Sequence, residues 1–288
     1  MQRRPDQAPA ELPRGKWLIL WLLVAGAAAP GSLRTLQGQA VGHEPADEVF
    51  SMVVSVLIFS AVLIGGPALQ SRTGRIAIRD LYRAHPTKRV LRLGVLAVPL
   101  TGMAAFTLYL LWAPLSLAFP ELTQHVLFES SERMFASSGT DHALANGLCL
   151  LSVAVVAPLA EECFFRGLLL RSWSREYGTV RAVIVSSLLF GLMHVDVLGG
   201  FVFAIVMCAL YAKYRSIWAP TIAHAATNVV GWILTVLESA GLQPFNSTAE
   251  LRAAWWFPVL GLMLAAPWVL RFRSDYGPMS SWSFEDRD

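Results

Sequence analysis

Apolar runs long enough to cross a bilayer recur along most of the 288-residue chain. A transmembrane helix needs about 20 mainly apolar residues, because the hydrocarbon core of a bilayer is about 30 Å thick. Such runs form helices, since a helix satisfies its backbone polar groups internally. We therefore predict an all-α polytopic membrane protein with about eight transmembrane helices, at residues 17–29, 49–69, 90–119, 143–170, 180–195, 197–214, 218–237 and 253–270.

The composition supports the same class of protein. The chain is 55% hydrophobic and only 15% charged, which is too apolar for a soluble domain of this length. Its net charge of +3 comes from basic residues scattered between the apolar runs, so we expect no nucleic-acid partner. All three cysteines fall within apolar runs, where we expect small buried side chains and no disulfide.

Charges in the connections alternate in sign along the chain. Arg and Lys cluster before the first run, in residues 72–92 and after the fourth, sixth and eighth runs, whereas acidic residues dominate the other connections. Cytoplasmic loops carry the excess of Lys and Arg. This pattern predicts an even number of spans in the cytoplasmic (inner) membrane, with both termini in the cytoplasm. The first run is short enough to be a cleaved signal peptide, but we expect a retained span.

The domain organisation follows from these runs. We expect the polar ends, residues 1–13 and 274–288, to be mobile, and the basic loop to lie along the anionic leaflet of the lipid bilayer. The predicted regions are a cytoplasmic N-terminal tail (1–16), accessory helices one to three with the basic cytoplasmic loop 72–92 (17–142), a catalytic core of helices four to seven (143–237), and the last helix with a cytoplasmic tail (238–288).

The fourth run contains three ionisable side chains within six residues: Glu161, Glu162 and Arg166. An ionisable group at the centre of a bilayer costs about 2.5–3.5 kcal/mol on insertion scales, so such groups usually mark function. Residues four apart share a helix face, which predicts an ion pair between Glu162 and Arg166. Glu161 is rotated about 100° from Glu162. It is therefore expected to face a cavity.

Two further runs carry His194, His224 and Asn228, and the last two share a helix face. A carboxylate with two imidazoles and an amide can activate water and stabilise an oxyanion, which is the chemistry of acyl-bond hydrolysis. The same groups could instead bind zinc as two His and one Glu. They could also serve only to hold helices together by hydrogen bonds.

The fifth run meets the sixth at residues 195–197, with no longer connection between them. His194 also lies farther along its run from the cytoplasmic basic residues than Glu161 or His224 does. We therefore expect a hairpin that is tilted or does not fully cross the membrane. Asp196 in its turn is expected to cap a helix, with a place near the site as the alternative.

Three motifs in this order on successive apolar helices resemble those of one family. They are Glu161-Glu162-x-x-x-Arg166, Phe190-x-x-x-His194 and His224-x-x-x-Asn228. Together they resemble the CPBP family, the type II CAAX prenyl proteases and bacteriocin-processing proteins, also called the Abi family. The resemblance implies an eight-helix membrane core with a cavity open to the cytosol. It also implies an endopeptidase that cuts near the C-terminus of a membrane-associated protein or peptide, lipidated or not.

The resemblance also implies roles for individual residues. Glu161 would activate water, His194 would assist it, and His224 with Asn228 would form the oxyanion site. The supporting positions are Glu162, Arg166 and Phe190. We favour a metal-free glutamate mechanism without a cofactor; the alternative is zinc bound by Glu161, His194 and His224. The alternative functions are a proton-coupled transporter and a non-catalytic scaffold or immunity protein. The natural substrate, its prenylation and the oligomeric state are not determined by the sequence.

Overall fold

The structure is a computed structural model, and it describes residues 15–28, 45–70, 81–82, 86–129 and 142–284. Most of the predicted N-terminal tail and much of the basic loop, residues 71–80 and 83–85, lie outside these ranges. The predictions for those segments therefore stay predictions. The described residues form helices joined by short connections, with no β-strand among them.

Eight helices of 14 residues or more run through the described residues, and each coincides with a predicted apolar run. They are α1 (Gly15–Ala28), α2 (Pro45–Gln70), α3 (Lys88–Ala118), α4 (Ala143–Tyr177), α5 (Thr179–Leu192), α6 (Val197–Tyr214), α7 (Trp218–Ser239) and α8 (Trp256–Tyr276). Shorter helical turns occupy Pro120–Gln124, His125–Glu129, Thr248–Ala253 and Met279–Ser281. The predicted all-α membrane class is confirmed.

Five of these helices, α2, α3, α4, α6 and α7, are long and apolar enough to cross a membrane, counted over the described part of the chain. Helices α1 and α5 are apolar but shorter, and α8 ends in the charged residues Arg271 and Arg273. Helix α5 has 14 residues, which makes it about 21 Å long. That length is less than the hydrocarbon thickness, which agrees with a hairpin α5–α6 that is tilted or crosses incompletely.

Helix α4 forms the centre of the bundle. Every residue of its segment Cys163–Leu170 is buried, Arg166 included. It packs against α1, α2, α5, α6 and α7. The glutamates of α4 therefore sit where several helices meet, rather than on a face turned to lipid.

The hairpin α5–α6 is held closed by two glycines. A Cβ atom added to Gly191 would lie 2.6 Å from the carbonyl oxygen of Val197, and one added to Gly200 would lie 2.9 Å from Cα of Gly191. Any larger side chain at these positions would push the two helices apart. This close packing sets the position of the turn that carries His194.

The C-terminal segment differs from the prediction that residues 274–288 are mobile. Helix α8 continues to Tyr276, and the side chains of Trp282 and Phe284 are buried. Nε1 of Trp282 donates to the carbonyl oxygen of Tyr276 at 2.8 Å, and the Phe284 ring stacks on Tyr211 of α6 at 5.9 Å between centroids. The prediction was wrong up to residue 284, because two aromatic side chains in a polar stretch are enough to dock it on the bundle.

Candidate active site

The backbone of α4 changes its winding on both sides of the two glutamates. Residues Ala157–Glu162 are α-helical, whereas Ser152–Val156 before them and Cys163–Leu170 after them are π-helical. Wider π turns are rare and occur often at functional sites. The glutamates thus lie on a short α segment between two backbone irregularities.

Pro158 leaves a carbonyl oxygen of the π segment Ser152–Val156 without a backbone donor, and Asn228 supplies one. The N–H of Ala157 bonds to the carbonyl oxygen of Ser152, and Pro158 has no N–H to offer the next carbonyl, that of Val153. Nδ2 of Asn228 on α7 donates to this Val153 oxygen at 2.7 Å. Asn228 therefore replaces a missing backbone donor, and one hydrogen of its amide group is left for another acceptor.

Glu162 is fully buried and holds two partners. Its Oε1 accepts hydrogen bonds from Nη1 of Arg166 at 3.0 Å and from Nδ1 of His224 at 2.8 Å. The predicted pair of Glu162 with Arg166 is therefore present. Arg166 is fixed further, because its Nη2 donates to the carbonyl oxygen of Ala204 on α6 at 3.1 Å and its guanidinium lies 4.8 Å above the Phe190 ring.

Glu161 faces the other nitrogen of the same imidazole. Its Oε2 lies 4.0 Å from Nε2 of His224, and its side chain is 12% exposed. This oxygen is buried and accepts no hydrogen bond from any residue that the structure describes. Buried polar atoms normally have a partner. Glu161 Oε2 is therefore available to a water molecule or a substrate, as the predicted role of this carboxylate requires.

His194 lies at the end of the hairpin turn and is more exposed than the other site residues. Its Nδ1 donates to the carbonyl oxygen of Phe190 at 2.8 Å, and its ring stacks on the Phe190 ring at 4.6 Å. The Phe190 ring also contacts the ring of His224, with the two centroids 6.0 Å apart. Phe190 thus packs against both imidazoles, and among the described contacts none bonds His194 directly to either glutamate.

Asp196 caps the N-terminus of α6, as predicted. Its Oδ1 accepts from the N–H of Gly199 at 2.9 Å, and its Oδ2 accepts from the hydroxyl of Thr107 on α3 at 2.8 Å. Nε1 of Trp112 donates to the carbonyl oxygen of Val195 at 3.2 Å. Helix α3 therefore holds the turn that carries His194 at two points.

The structure assembles most of the predicted site and adds a link that the sequence did not indicate. Glu161, Glu162, Arg166 and His224 meet in one cluster, with Phe190 packed beside them and Asn228 bonded one turn away. The bond between Glu162 and His224 was missed, because no spacing rule relates residues on different helices. Phe203 was missed as well; its ring lies 5.0 Å from the His224 ring.

The predicted zinc ligands are Glu161, His194 and His224. A catalytic zinc site needs three protein ligands that converge on one point. Glu161 and His224 approach each other, but no group of three His, Cys, Asp or Glu side chains able to hold a metal forms among the described residues. The set of Glu161, His194 and His224 is therefore not assembled as a zinc site among the described residues.

The site region resembles known proteins. The type II CAAX prenyl endopeptidase Rce1-like family matches residues 142–230, a range that includes all the predicted site residues. We refer to residues 142–230 as the CPBP region, after the family whose motifs they resemble. The family predicted from the motifs is confirmed by this match, and the chain is an integral membrane protein. The orientation of its termini stays a prediction.

A curated relative of this chain is the protein named "Putative membrane peptidase YdiL" of Bacillus subtilis (strain 168). It is 31% identical over 121 residues, which are 40% of this chain and 46% of the relative. The chain thus matches about half of the relative's length. No solved structure matches the chain significantly.

Proposed function

We propose that this protein is an intramembrane endopeptidase that hydrolyses a peptide bond near the C-terminus of a membrane-associated protein or peptide. The observation that carries the proposal is the placement of one imidazole between two carboxylates. Glu162 binds Nδ1 of His224, and Glu161 Oε2 lies 4.0 Å from Nε2 without another partner. The CPBP region and the name of the Bacillus relative support a peptidase.

In the proposed reaction Glu161 is the general base. Its Oε2 takes one proton from a water molecule, and the water oxygen attacks the carbonyl carbon of the scissile bond. His194 donates from Nδ1 to Phe190, so in the neutral imidazole Nε2 is unprotonated and accepts a hydrogen bond from the same water. The proton held by Glu161 then passes to the leaving nitrogen as the C–N bond breaks.

The oxyanion formed by this attack needs hydrogen-bond donors. Asn228 has one amide hydrogen beyond the one that it donates to Val153. His224 can donate from Nε2 when its imidazole is protonated, and Glu162 then stabilises the imidazolium through Nδ1. Donors held in advance by protein contacts are effective because they need no reorganisation during the reaction.

The proposed mechanism is metal-free, since Glu161 takes the proton from water and returns it to the leaving nitrogen, while the two imidazoles and Asn228 supply the hydrogen bonds. The favoured substrate is a peptide with a C-terminal membrane anchor, and the family description makes a prenylated cysteine one form to test. The bilayer is expected to hold such a substrate beside the site.

The test is cleavage of a C-terminal peptide library, each peptide with and without a prenyl group, by protein purified in detergent. Glu161→Gln keeps the shape of the side chain but removes the base, and it should abolish cleavage. Glu121→Gln alters an exposed carboxylate outside the CPBP region and should cleave like wild type. Equal cleavage by Glu161→Gln and wild type would remove Glu161 from the mechanism.

A chelator arm tests the metal-free mechanism. Wild-type protein should keep its activity in a strong chelator. Loss of activity that zinc restores would replace the glutamate mechanism with the zinc alternative. Cleavage that persists when His194 and His224 are both replaced would point to a contaminating peptidase and favour the non-catalytic scaffold.

A further inference from the structure

Residues Leu81 and Tyr82 precede α3 in the chain and lie outside the CPBP region, yet they pack against its central helix. A Cβ atom added to Gly167 of α4 would lie 2.5 Å from Cδ1 of Leu81. A larger side chain at Gly167 would therefore require the tip of Leu81 to shift. Leu81 also joins the buried cluster around Phe164 and Phe165. Leu81 is thus docked on α4 within two helical turns of the glutamates in the sequence.

The Tyr82 side chain contacts α4, which carries the two glutamates, and α7, which carries His224 and Asn228. Its hydroxyl donates to the carbonyl oxygen of Leu159 on α4 at 2.9 Å, and its oxygen lies 3.3 Å from Oγ1 of Thr221 on α7. Its ring packs edge-on against Trp218 of α7 at 4.9 Å. Burial raises the pKa of Tyr82 well above its usual value, so the hydroxyl keeps the proton that it donates.

The Leu159 carbonyl oxygen accepts hydrogen bonds close to the two glutamates on α4. It lies two residues before Glu161, inside the α-helical segment Ala157–Glu162 that precedes the π winding. The N–H of Cys163 is shared there between the carbonyl oxygens of Ala160 and Leu159. The Tyr82 hydroxyl therefore gives the Leu159 oxygen a donor of its own, and it stabilises the turn that sets the direction of the glutamates.

We infer that Tyr82 is a positioning residue for the proposed peptidase: its hydroxyl holds α4 against α7 and so sets the distances from Glu161 and Glu162 to His224. This inference rests on the proposed function. The two distances across these helices are 4.0 Å from Glu161 Oε2 to His224 Nε2 and 2.8 Å from Glu162 Oε1 to His224 Nδ1. A displacement of about 1 Å in a reacting group can lower a rate about 100-fold.

The first test compares Tyr82→Phe with Tyr109→Phe. Both variants remove one hydroxyl that donates to a backbone carbonyl of another helix. The Tyr109 hydroxyl donates to the carbonyl oxygen of Arg252 at 3.3 Å, outside the CPBP region. Tyr82→Phe should lower kcat about tenfold with KM within about twofold, because a partial displacement affects the reaction more than binding. Tyr109→Phe should match wild type. Equal kcat in wild type and Tyr82→Phe would overturn the inference.

The second test does not depend on turnover, so it separates this inference from the proposed function. Histidine labelled with ¹⁵N reports the Nδ1–H of His224 by NMR in detergent, and a His224→Gln spectrum assigns the signal. Tyr82→Phe should shift this resonance, and Tyr109→Phe should not. If wild type cleaves no peptide, the proposed function fails while the shift still supports positioning. An unchanged resonance overturns positioning in either case.

Discussion

Nδ1 of His224 lies 2.8 Å from Oε1 of Glu162, and this contact joins the two helices on which the site depends. The bond fixes which nitrogen of the imidazole carries the proton in its neutral form, and it leaves Nε2 towards Glu161. A carboxylate that orients a histidine and stabilises its protonated form has the same role in hydrolases of unrelated fold. Glu162 is therefore a positioning residue as well as half of an ion pair.

Glu162→Gln should lower both activity and stability. The amide is neutral, so buried Arg166 loses its counterion and His224 loses its carboxylate. Breaking one side of a buried pair costs about 3–5 kcal/mol, and replacing the carboxylate that orients a catalytic histidine by an amide lowers activity about 10⁴-fold in serine hydrolases. The melting temperature in detergent and the cleavage rate measure the two effects. Glu161→Gln should lose activity at nearly unchanged melting temperature, since Glu161 Oε2 has no bond to lose.

Asn228→Ala should destabilise the protein by about 1–3 kcal/mol, because the Val153 carbonyl is left without a donor. Pro158→Ala restores a backbone N–H at the position from which the Val153 oxygen can accept. The double variant should therefore recover part of the stability lost in Asn228→Ala, although not the activity. Thermal unfolding of the two single variants and the double variant measures this coupling. Purely additive effects would contradict the role assigned to Pro158.

Thr107→Val should reduce activity through the turn that carries His194. The substitution keeps the side-chain volume but removes the hydroxyl that donates to Oδ2 of Asp196 at 2.8 Å. A buried acceptor without a donor costs about 1–3 kcal/mol. Thr235→Val is the matched control, because its hydroxyl bonds only within α7, to Gly231 at 3.2 Å. If both variants keep full cleavage activity, the anchor on α3 is not needed to place His194.

Trp282→Ala should lower the melting temperature, since this side chain is 7% exposed and seals the C-terminal segment onto the bundle. Replacing a buried Trp with Ala costs about 3–5 kcal/mol. Trp255→Ala removes the same side chain where it is 70% exposed and should change stability far less. Similar melting temperatures for the two variants would return the C-terminal segment to the mobile tail expected from the sequence.

The sequence by itself determined the features that depend on neighbours along the chain. The length of each apolar run predicted a helix, and the spacing of four residues placed Glu162 beside Arg166. The turn residue Asp196 was recognisable as a cap, because its partner Gly199 is only three residues away. These relations hold within one helix or turn, whose geometry is known in advance.

Only the tertiary structure decided which helix faces meet and at what depth. The bonds of Glu162 to His224, of Asn228 to Val153 and of Tyr82 to Leu159 each join distant parts of the chain. They depend on how α4 is rotated and on where its winding changes, and on how α7 packs beside it. Packing of the whole bundle sets those quantities, because side chains of several helices must fill the same space. Periodicity within one helix carries no information about them.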